Sequence, residues 1–353
     1  MIACVTPSAG HLEHHAARGP SLLQDLQNHH IETVNQSRHL FRAMGDVCRT
    51  AVQGRDEVIA LVLTALFADG HVLLEDHPGS GKTTLAKSLG NVVERPADSA
   101  IAAFRRIQFT PDLLPSDITG VTLFDPQSRK FDFRRGPVFA NIVLGDEINR
   151  SSPKVQSALL EVMAEKQVTV DNETHRLEDL FFVLATQNPL DLAGTYPLPR
   201  AQLDRFLFKI KMTHLTRDAE LAVLCRWNVD RTKPADFCVA PHAILGARRV
   251  VREQVQVPQI VLECLTDTAE ALRRDSNVRL GVSTRALVSA IPALQVWAML
   301  HGRDFVSPRD LQALCVPLFG HRIEPAAGTD ADAIVMRCTS AVVEDVTRRS
   351  IAG

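Results

Sequence analysis

The sequence predicts an α/β fold in which a five-stranded parallel sheet lies between two helix layers, followed by an all-helical domain. Three observations lead there. Five short runs of apolar residues recur through the middle of the chain, most of them separated by segments of helix length. Their hydrophobicity is near-continuous rather than alternating, which suits strands covered on both faces. After about residue 213 the strand signals fade and helical ones take over.

The runs are "HVLLED" (71–76), "FRRIQF" (104–109), "NIVLGDE" (141–147), "LFFVLATQN" (180–188) and "FLFKIKM" (206–212). The clearest intervening helix is "SSPKVQSALLEVMAEK", where Ser152 can cap, Pro153 suits the first helical position, and Val155, Ala158, Leu159, Val162 and Met163 make one apolar stripe for the core. Two further segments read as hairpins. In "GVTLFDPQSRKFDFRRGPVF" (120–139) aromatic and polar residues alternate on either side of Asp125–Ser128, and "KQVTVDNETHRLED" (166–179) carries an Asp-Asn turn. In the C-terminal part, "STRALVSAIPALQVWAMLHG" (283–302) is a helix that Pro292 is expected to kink, and Ser307, Pro308 and Asp310 start another in "SPRDLQALCVPLFG" (307–320). The expected division is an N-terminal extension at 1–35, an α/β core at 36–212 and a helical domain at 213–353, with no internal repeat.

The 353 residues are 45% hydrophobic, enough for a sizeable core and more than one domain. With 39 basic residues against 41 acidic ones the chain lacks the excess of a dedicated nucleic-acid binder, so nucleic acid is not the expected partner. The seven cysteines, at 4, 48, 225, 238, 264, 315 and 338, include no CxxC pair and read as small buried hydrophobes in a reducing compartment. The N-terminal stretch lacks the pattern of a secretory signal. The most apolar run, "VIALVLTALFADGHVLLED", is broken at 68–70, short of the roughly 20 residues that span a bilayer. A cytoplasmic protein without membrane insertion is expected. The histidine pairs at 14/15 and 29/30 have no further ligands spaced with them and suggest an extension rather than a metal site.

The chemistry concentrates at strand ends. In "EDHPGSGKTTLAKSLG" (75–90), Pro78, Gly79, Ser80 and Gly81 form a tight loop whose amides can approach phosphate oxygens. Lys82 can reach the β- and γ-phosphates, the Thr83 hydroxyl can bind Mg2+, and Thr84 continues a helix whose N-terminal dipole faces the same anion. "NIVLGDEINR" carries Asp146 and Glu147 to the end of a buried strand, where Asp146 can hold the metal and Glu147 can polarise a water. Asn188, ending "VLATQN", can orient that water; the alternative is a plain Asn-Pro turn.

Taken together, these residues resemble an AAA+ ATPase of the MoxR family. The stretches that carry the resemblance are "RIQFTPDLLPSDITG" (106–120), "GPVFANIVLGDEINRSSPKVQSALLEVMAEKQVTV" (136–170), "VLATQNPLDLAGTYPLPRAQLDRFLFKI" (183–210) and "GVSTRALVSAIPALQVWAMLHGRDFVSPRDL" (281–311). The resemblance as a whole covers roughly residues 36–323 in order. The resemblance implies an AAA+ P-loop αβα core and a helical lid, assembled into a ring, a homo-hexamer, with active sites between neighbours and with ATP and Mg2+ as cofactors. It further implies that Arg205 in "AQLDRF" is the arginine finger reaching a neighbour's γ-phosphate, the alternative being a structural arginine paired with Asp204. Arg285 in "VSTRAL" would be the second sensor, Asn188 the first, Arg150 a residue of the subunit interface, and "AVQGRDEVI" (51–59) the segment cupping adenine. The first hairpin would face the ring's central side within the second core helix, and the second would precede the sensor strand.

Three positions depart from the pattern. Asp76 replaces the first glycine of the loop, Gly145 stands where a larger residue is common, and Arg200 stands where an acidic residue is expected, leaving open whether Arg200 or Arg205 acts in trans. By resemblance the work is remodelling or maturation of protein clients, with a partner bearing a von Willebrand factor A domain. The other readings are a nucleic-acid motor, an activator of a particular metalloenzyme or carbon-fixing enzyme, and a scaffold that uses ATP only to assemble.

Overall fold

The computed structural model describes residues 31–75, 80–95, 101–189, 194–225 and 237–352. Expectations placed on the N-terminal extension up to residue 30, with Cys4 and the two histidine pairs, and on Asp76, Pro78 and Gly79 lie outside the described residues.

Two helices come first, α1 (Val34–Ala51) and α2 (Asp56–Phe67). The first is started by a capping box: Thr33 Oγ1 accepts from the Gln36 amide, and Gln36 Oε1 accepts from the Thr33 amide. The α/β part then runs β1 (Val72–Glu75), α3 (Lys82–Val92), β2 (Ala102–Gln108), α4 (Pro115–Thr119), β3 (Gly120–Asp125), β4 (Lys130–Arg135) and β5 (Ala140–Asp146). A 3₁₀ turn at Ile148–Arg150 leads to α5 (Pro153–Glu165), β6 (Gln167–Val170), β7 (Glu173–Arg176), β8 (Phe182–Gln187), α6 (Arg200–Leu203) and β9 (Phe208–Lys211).

All five apolar runs join one sheet, in the order β2-β5-β8-β1-β9, with every neighbouring pair parallel. Alternating side chains divide between two cores, as the pleat requires. Val72, Leu74, Ile142, Leu144, Leu184 and Phe208 enter one, which continues into α1–α3 and the C-terminal helices. Leu73, Val143, Val183 and Ala185 enter the other, under Val155, Leu159 and Val162 of α5. β5 is buried along its whole length, whereas β2 at the sheet edge exposes Arg105 and Arg106. Helices on both faces of a parallel sheet are the αβα arrangement that the pattern predicted.

Both hairpins form. β3 pairs antiparallel with β4 and β6 with β7. In the second, Asp171 and Asn172 both take positive φ, 50° and 66°, as a two-residue primed turn demands. The two hairpins touch: the His175 ring stacks on Phe133 at 3.8 Å between centroids and 7° between planes.

The C-terminal region is helical: α7 (Arg217–Cys225), α8 (Pro241–Gln254), α9 (Gln259–Arg274), α10 (Thr284–Leu300), α11 (Pro308–Phe319) and α12 (Ala331–Ala352). It also holds one short antiparallel pair, β10 (Val278–Leu280) with β11 (Glu324–Pro325), which the sequence pattern does not reveal. α10 runs on through Pro292, and α11 begins with the predicted box, Asp310 Oδ2 accepting from the Ser307 amide at 2.7 Å. Two local expectations need correction. Ser152 occupies the N-cap of α5, but its hydroxyl makes no capping bond. Cys225 is exposed and Cys238 half-exposed, whereas Cys48, Cys264, Cys315 and Cys338 are buried; all six are free.

His71 knits the sheet to α5 from the residue before β1. Its Nδ1 accepts from the Val183 amide at 3.0 Å, so its Nε2 carries the proton and donates to the Met163 carbonyl at 3.3 Å. Burial pushes its pKa down from 6.5 to about 4, because a second proton would charge a dry ring and break the Val183 bond. Between those two values the unfolded chain binds more protons than the folded one, so stability is complete above the unfolded value and is lost as pH falls toward 4. Acidification from pH 7.5 to pH 5 is expected to cost about 2 kcal/mol through His71 alone. Urea unfolding of the parent and of His71→Gln at both pH values checks this. A parent whose stability does not change, or a variant with an undiminished pH slope, contradicts it.

Candidate active site

The register of the sheet determines which side chains meet at its carboxyl edge. Gln108 lies opposite Asp146, Gly145 opposite Ala185, and Glu75 opposite both Gln187 and Lys211. The ends of β1, β5 and β8 therefore form one ledge, the place where open α/β sheets bind ligands.

β1 is strapped at its tip. The Glu75 carboxylate accepts from Gln187 Nε2 at 2.8 Å and from Lys209 Nζ at 3.0 Å, fastening it to both neighbouring strands just before the phosphate loop. Gly81 is the N-cap of α3 with φ 94°, a left-handed conformation that glycine adopts without penalty. Lys82 opens the helix, and Thr83 and Thr84 continue its first turn, all three half-buried. Ser80 Oγ is buried without a hydrogen-bond partner. Val52 faces Gly81, its Cγ1 being 3.5 Å from where a Cβ on Gly81 would sit, so the segment expected to cup adenine borders the loop. In that segment Gln53 Oε1 is also buried and unpartnered. Orphaned polar atoms on both segments, beside a helix N-terminus, are the features of a cradle that a nucleotide completes.

Thr186 organises the acids. Its buried hydroxyl donates to Asp146 Oδ1 at 2.7 Å and accepts from the Glu147 amide at 2.9 Å. Arg106 of β2 grips the other oxygen, Asp146 Oδ2, through Nη2 at 2.6 Å and Nε at 3.2 Å. Arg106 also bonds Gln108, whose Nε2 donates to Glu147 Oε2 at 3.1 Å, and Arg150 Nε reaches the same oxygen at 3.1 Å. Glu147 itself is left-handed, φ 58° and ψ 49°, a conformation that costs a non-glycine residue about 1 kcal/mol or more and that the Thr186 bond to its amide supports. Asn188 follows β8 directly, and its carbonyl accepts from Asn149 Nδ2 at 3.2 Å. Gly145 is explained by its surroundings: a Cβ there would come within 3.2 Å of the buried Phe109 ring.

The structure thus brings Asp146, Glu147 and Asn188 to one edge beside the loop that begins α3. Arg205 and Arg285 belong to other elements, a turn after α6 and the first turn of α10, and both are exposed. Neither side chain bonds another candidate residue among the described ones. The carboxylate of Asp204 is held by Arg322 at 2.8 Å, so Arg205 is not its partner. Arg200 lies 3.6 Å from Glu324 Oε2. Sequence reasoning missed Thr186, Arg106 and Gln108. Thr186 stood two residues before Asn188 in a run already assigned to a strand, but its importance depends on β8 lying beside β5.

Comparison with known proteins agrees with this fold. Residues 71–208 match the family model described as "ATPase family associated with various cellular activities (AAA)", and residues 270–338 match the "AAA lid domain". The chain is 44% identical to "Uncharacterized protein YeaC" of Bacillus subtilis, over 88% of this chain and 97% of that one. It is 36% identical to "Chaperone MoxR1" of Mycobacterium tuberculosis, over 80% and 75% of the two chains, and 31% identical to "Protein MoxR" of Methylorubrum extorquens, over 84% and 91%. A crystal structure from Cytophaga hutchinsonii superimposes with a TM-score of 0.77 at 34% identity, covering 89% of this chain and 95% of that one.

Thr186→Val keeps the volume and removes the hydroxyl, leaving two buried polar groups without partners, at about 1–3 kcal/mol each. The Mg2+-dependent part of the affinity for a non-hydrolysable ATP analogue is expected to fall about tenfold, while Thr186→Ser stays near the parent. Calorimetric titration with and without Mg2+ reads this directly; equal Mg2+ effects in the parent and the valine variant would exclude the organising role.

Proposed function

The chain belongs to the MoxR family of AAA+ ATPases, and from that premise we propose that it hydrolyses ATP to remodel or mature protein clients. The observation that carries this reading is the pair of acids, Asp146 and Glu147, ordered by one threonine at the edge from which the phosphate loop departs. In this reading the amides of the 78–81 loop and Lys82 grip the triphosphate, and Thr83 and Asp146 hold Mg2+. When bound, the metal would neutralise charge on the β- and γ-phosphates. Glu147 is the base: its Oε2 is anchored by Gln108 and Arg150, and Oε1, which accepts no bond among the described residues, is left to take a proton from water. Asn188 orients that water, and Arg285 reports the nucleotide to the lid.

We assign the trans-acting cation to Arg205 rather than Arg200. Arg205 is exposed and forms no ion pair among the described residues, whereas Arg200 faces Glu324 of its own chain. A finger of this kind requires a ring, a homo-hexamer in this reading, so that each subunit completes its neighbour's pocket.

Client contact is best supported at the first hairpin. Phe131 is 72% exposed and pairs with the exposed Phe124 at 5.2 Å, with Val121 and Leu123 also exposed on the same hairpin. Apolar surface held out in this way favours contact with unfolded or partly folded chains. No described helix is long and apolar enough to cross a membrane, and six free cysteines suit the reducing cytoplasm in which we place the protein. A von Willebrand factor A domain partner belongs to this proposal as well.

Glu147→Gln is expected to lower phosphate release about 100-fold or more while ATP still binds, and Lys82→Ala to abolish binding. Phosphate-release assays and nucleotide titration separate the two effects; full turnover in both variants would falsify the assignment of these residues. Affinity capture with the ATP-loaded glutamine variant then identifies the client.

A further inference from the structure

Arg322 is a charged residue where packing alone would have preferred an apolar one. Its side chain is 3% exposed, and every one of its nitrogens is engaged. Nε donates to Asp204 Oδ1 at 2.8 Å, Nη2 to the carbonyls of Phe206 at 2.8 Å and Asp204 at 3.4 Å, and Nη1 to those of Leu207 at 3.2 Å and Leu318 at 2.5 Å. The adjacent His321 is buried too, and its Nε2 donates to the Phe206 carbonyl at 3.1 Å. Burial drives the His321 pKa well below its ordinary value, with the Arg322 charge acting in the same direction, so the ring is a neutral donor.

These contacts have one target. Residues 204, 206 and 207 flank Arg205 on both sides, and each is held by the guanidinium that follows α11. Glu324, two residues further on, faces Arg200 at the other end of the same segment. Residues 321–324 of the lid therefore bracket the stretch from Arg200 to Leu207, while the side chain of Arg205 between them stays exposed. A buried guanidinium is stable only when its counter-charge and all its acceptors are in place together. The planar fork consequently fixes the direction in which the 204–207 turn points, which flexible apolar packing would not.

We infer that Arg322 is a positioning residue for ATP hydrolysis in the neighbouring subunit: by fixing the turn that bears Arg205, it makes the arginine that each protomer presents depend on the placement of that protomer's own lid. This rests on the assignment of Arg205 as the trans-acting cation. It adds a direction of communication, from the lid of one subunit to the active site of the next, using only contacts within a chain.

Subunit mixing tests it, with phosphate release measured for full-length proteins alone and in equimolar pairs. Arg322→Lys is expected to lower kcat about 100-fold, leaving ATP affinity and the KM for ATP close to the parent. Glu147→Gln lacks its own base but retains a sound Arg205. Mixing it with Arg322→Lys should restore part of the turnover, because the lysine variant keeps its Glu147 and receives a well-placed finger from its neighbour. Mixing Arg322→Lys with Arg205→Ala should restore none. Asp204→Asn, which removes only the counter-charge, is run in parallel in case lysine at 322 destabilises the fold, and must complement in the same way. Recovery of Arg205→Ala by Glu147→Gln without recovery of Arg322→Lys or Asp204→Asn overturns the inference and leaves the finger intact. No recovery of Arg205→Ala, or full activity in that variant alone, removes the underlying assignment and the inference with it.

Discussion

In a parallel sheet every carboxyl end leaves from the same edge, and the pairing of Leu144 and Val72 with Leu184 decides which side chains share it. That register sets Thr186 beside Asp146, and a shift of one residue would turn Thr186 to the opposite face and put Ala185 or Gln187 in its place. Both carboxylates, the left-handed backbone of Glu147 and the strap from Glu75 to Gln187 follow from the same alignment. The two hydrophobic cores hold it there, since slipping β8 by one residue would drive Leu184 into the core that is packed around Ala185 and leave Ala185 to fill the space of Leu184.

Two guanidiniums, those of Arg248 and Arg322, are buried in this molecule where distant segments must agree. Asp69, in the turn before β1, receives Lys166 from the base of the second hairpin at 2.9 Å and the buried Arg248 of α8 at 2.6 Å. Arg248 also donates to the Leu66 carbonyl in the last turn of α2. Asp204 and Arg322 make the corresponding link on the other side of β9. A buried guanidinium pair adds little net stability compared with apolar packing, but removing its carboxylate strands Arg248 or Arg322 in a dry interior. They penalise misassembly between the sheet and the C-terminal helices more than they strengthen the correct assembly.

Much of this was readable from the chain. The five strands were visible because burial on both faces leaves an unbroken apolar run, and the second hairpin because Asp171 and Asn172 are residues that tolerate positive φ. Asp146, Glu147 and Asn188 could be placed because each terminates such a run. Thr186 and Arg106 could not, since their roles arise only when strands distant in sequence become neighbours. The same holds for Arg322, whose partner lies 118 residues earlier. Ser152 shows the opposite failure: a suitable residue at the right position whose hydroxyl is not used. The pairing of β10 with β11 was illegible because two or three residues carry no periodicity.

The stacked rings of His175 and Phe133 have a mechanical meaning. One hairpin precedes β5 and the other β8, so the rings join two prongs whose roots are the strands that carry Asp146 and Thr186. A load on the aromatic tip at Phe131 is shared between those two strands through the short links 136–139 and 177–181, and reaches the edge that carries Asp146 and Glu147. Displacement of the hairpins and the spacing of Asp146 from Thr186 are in this way set by the same pair of strands.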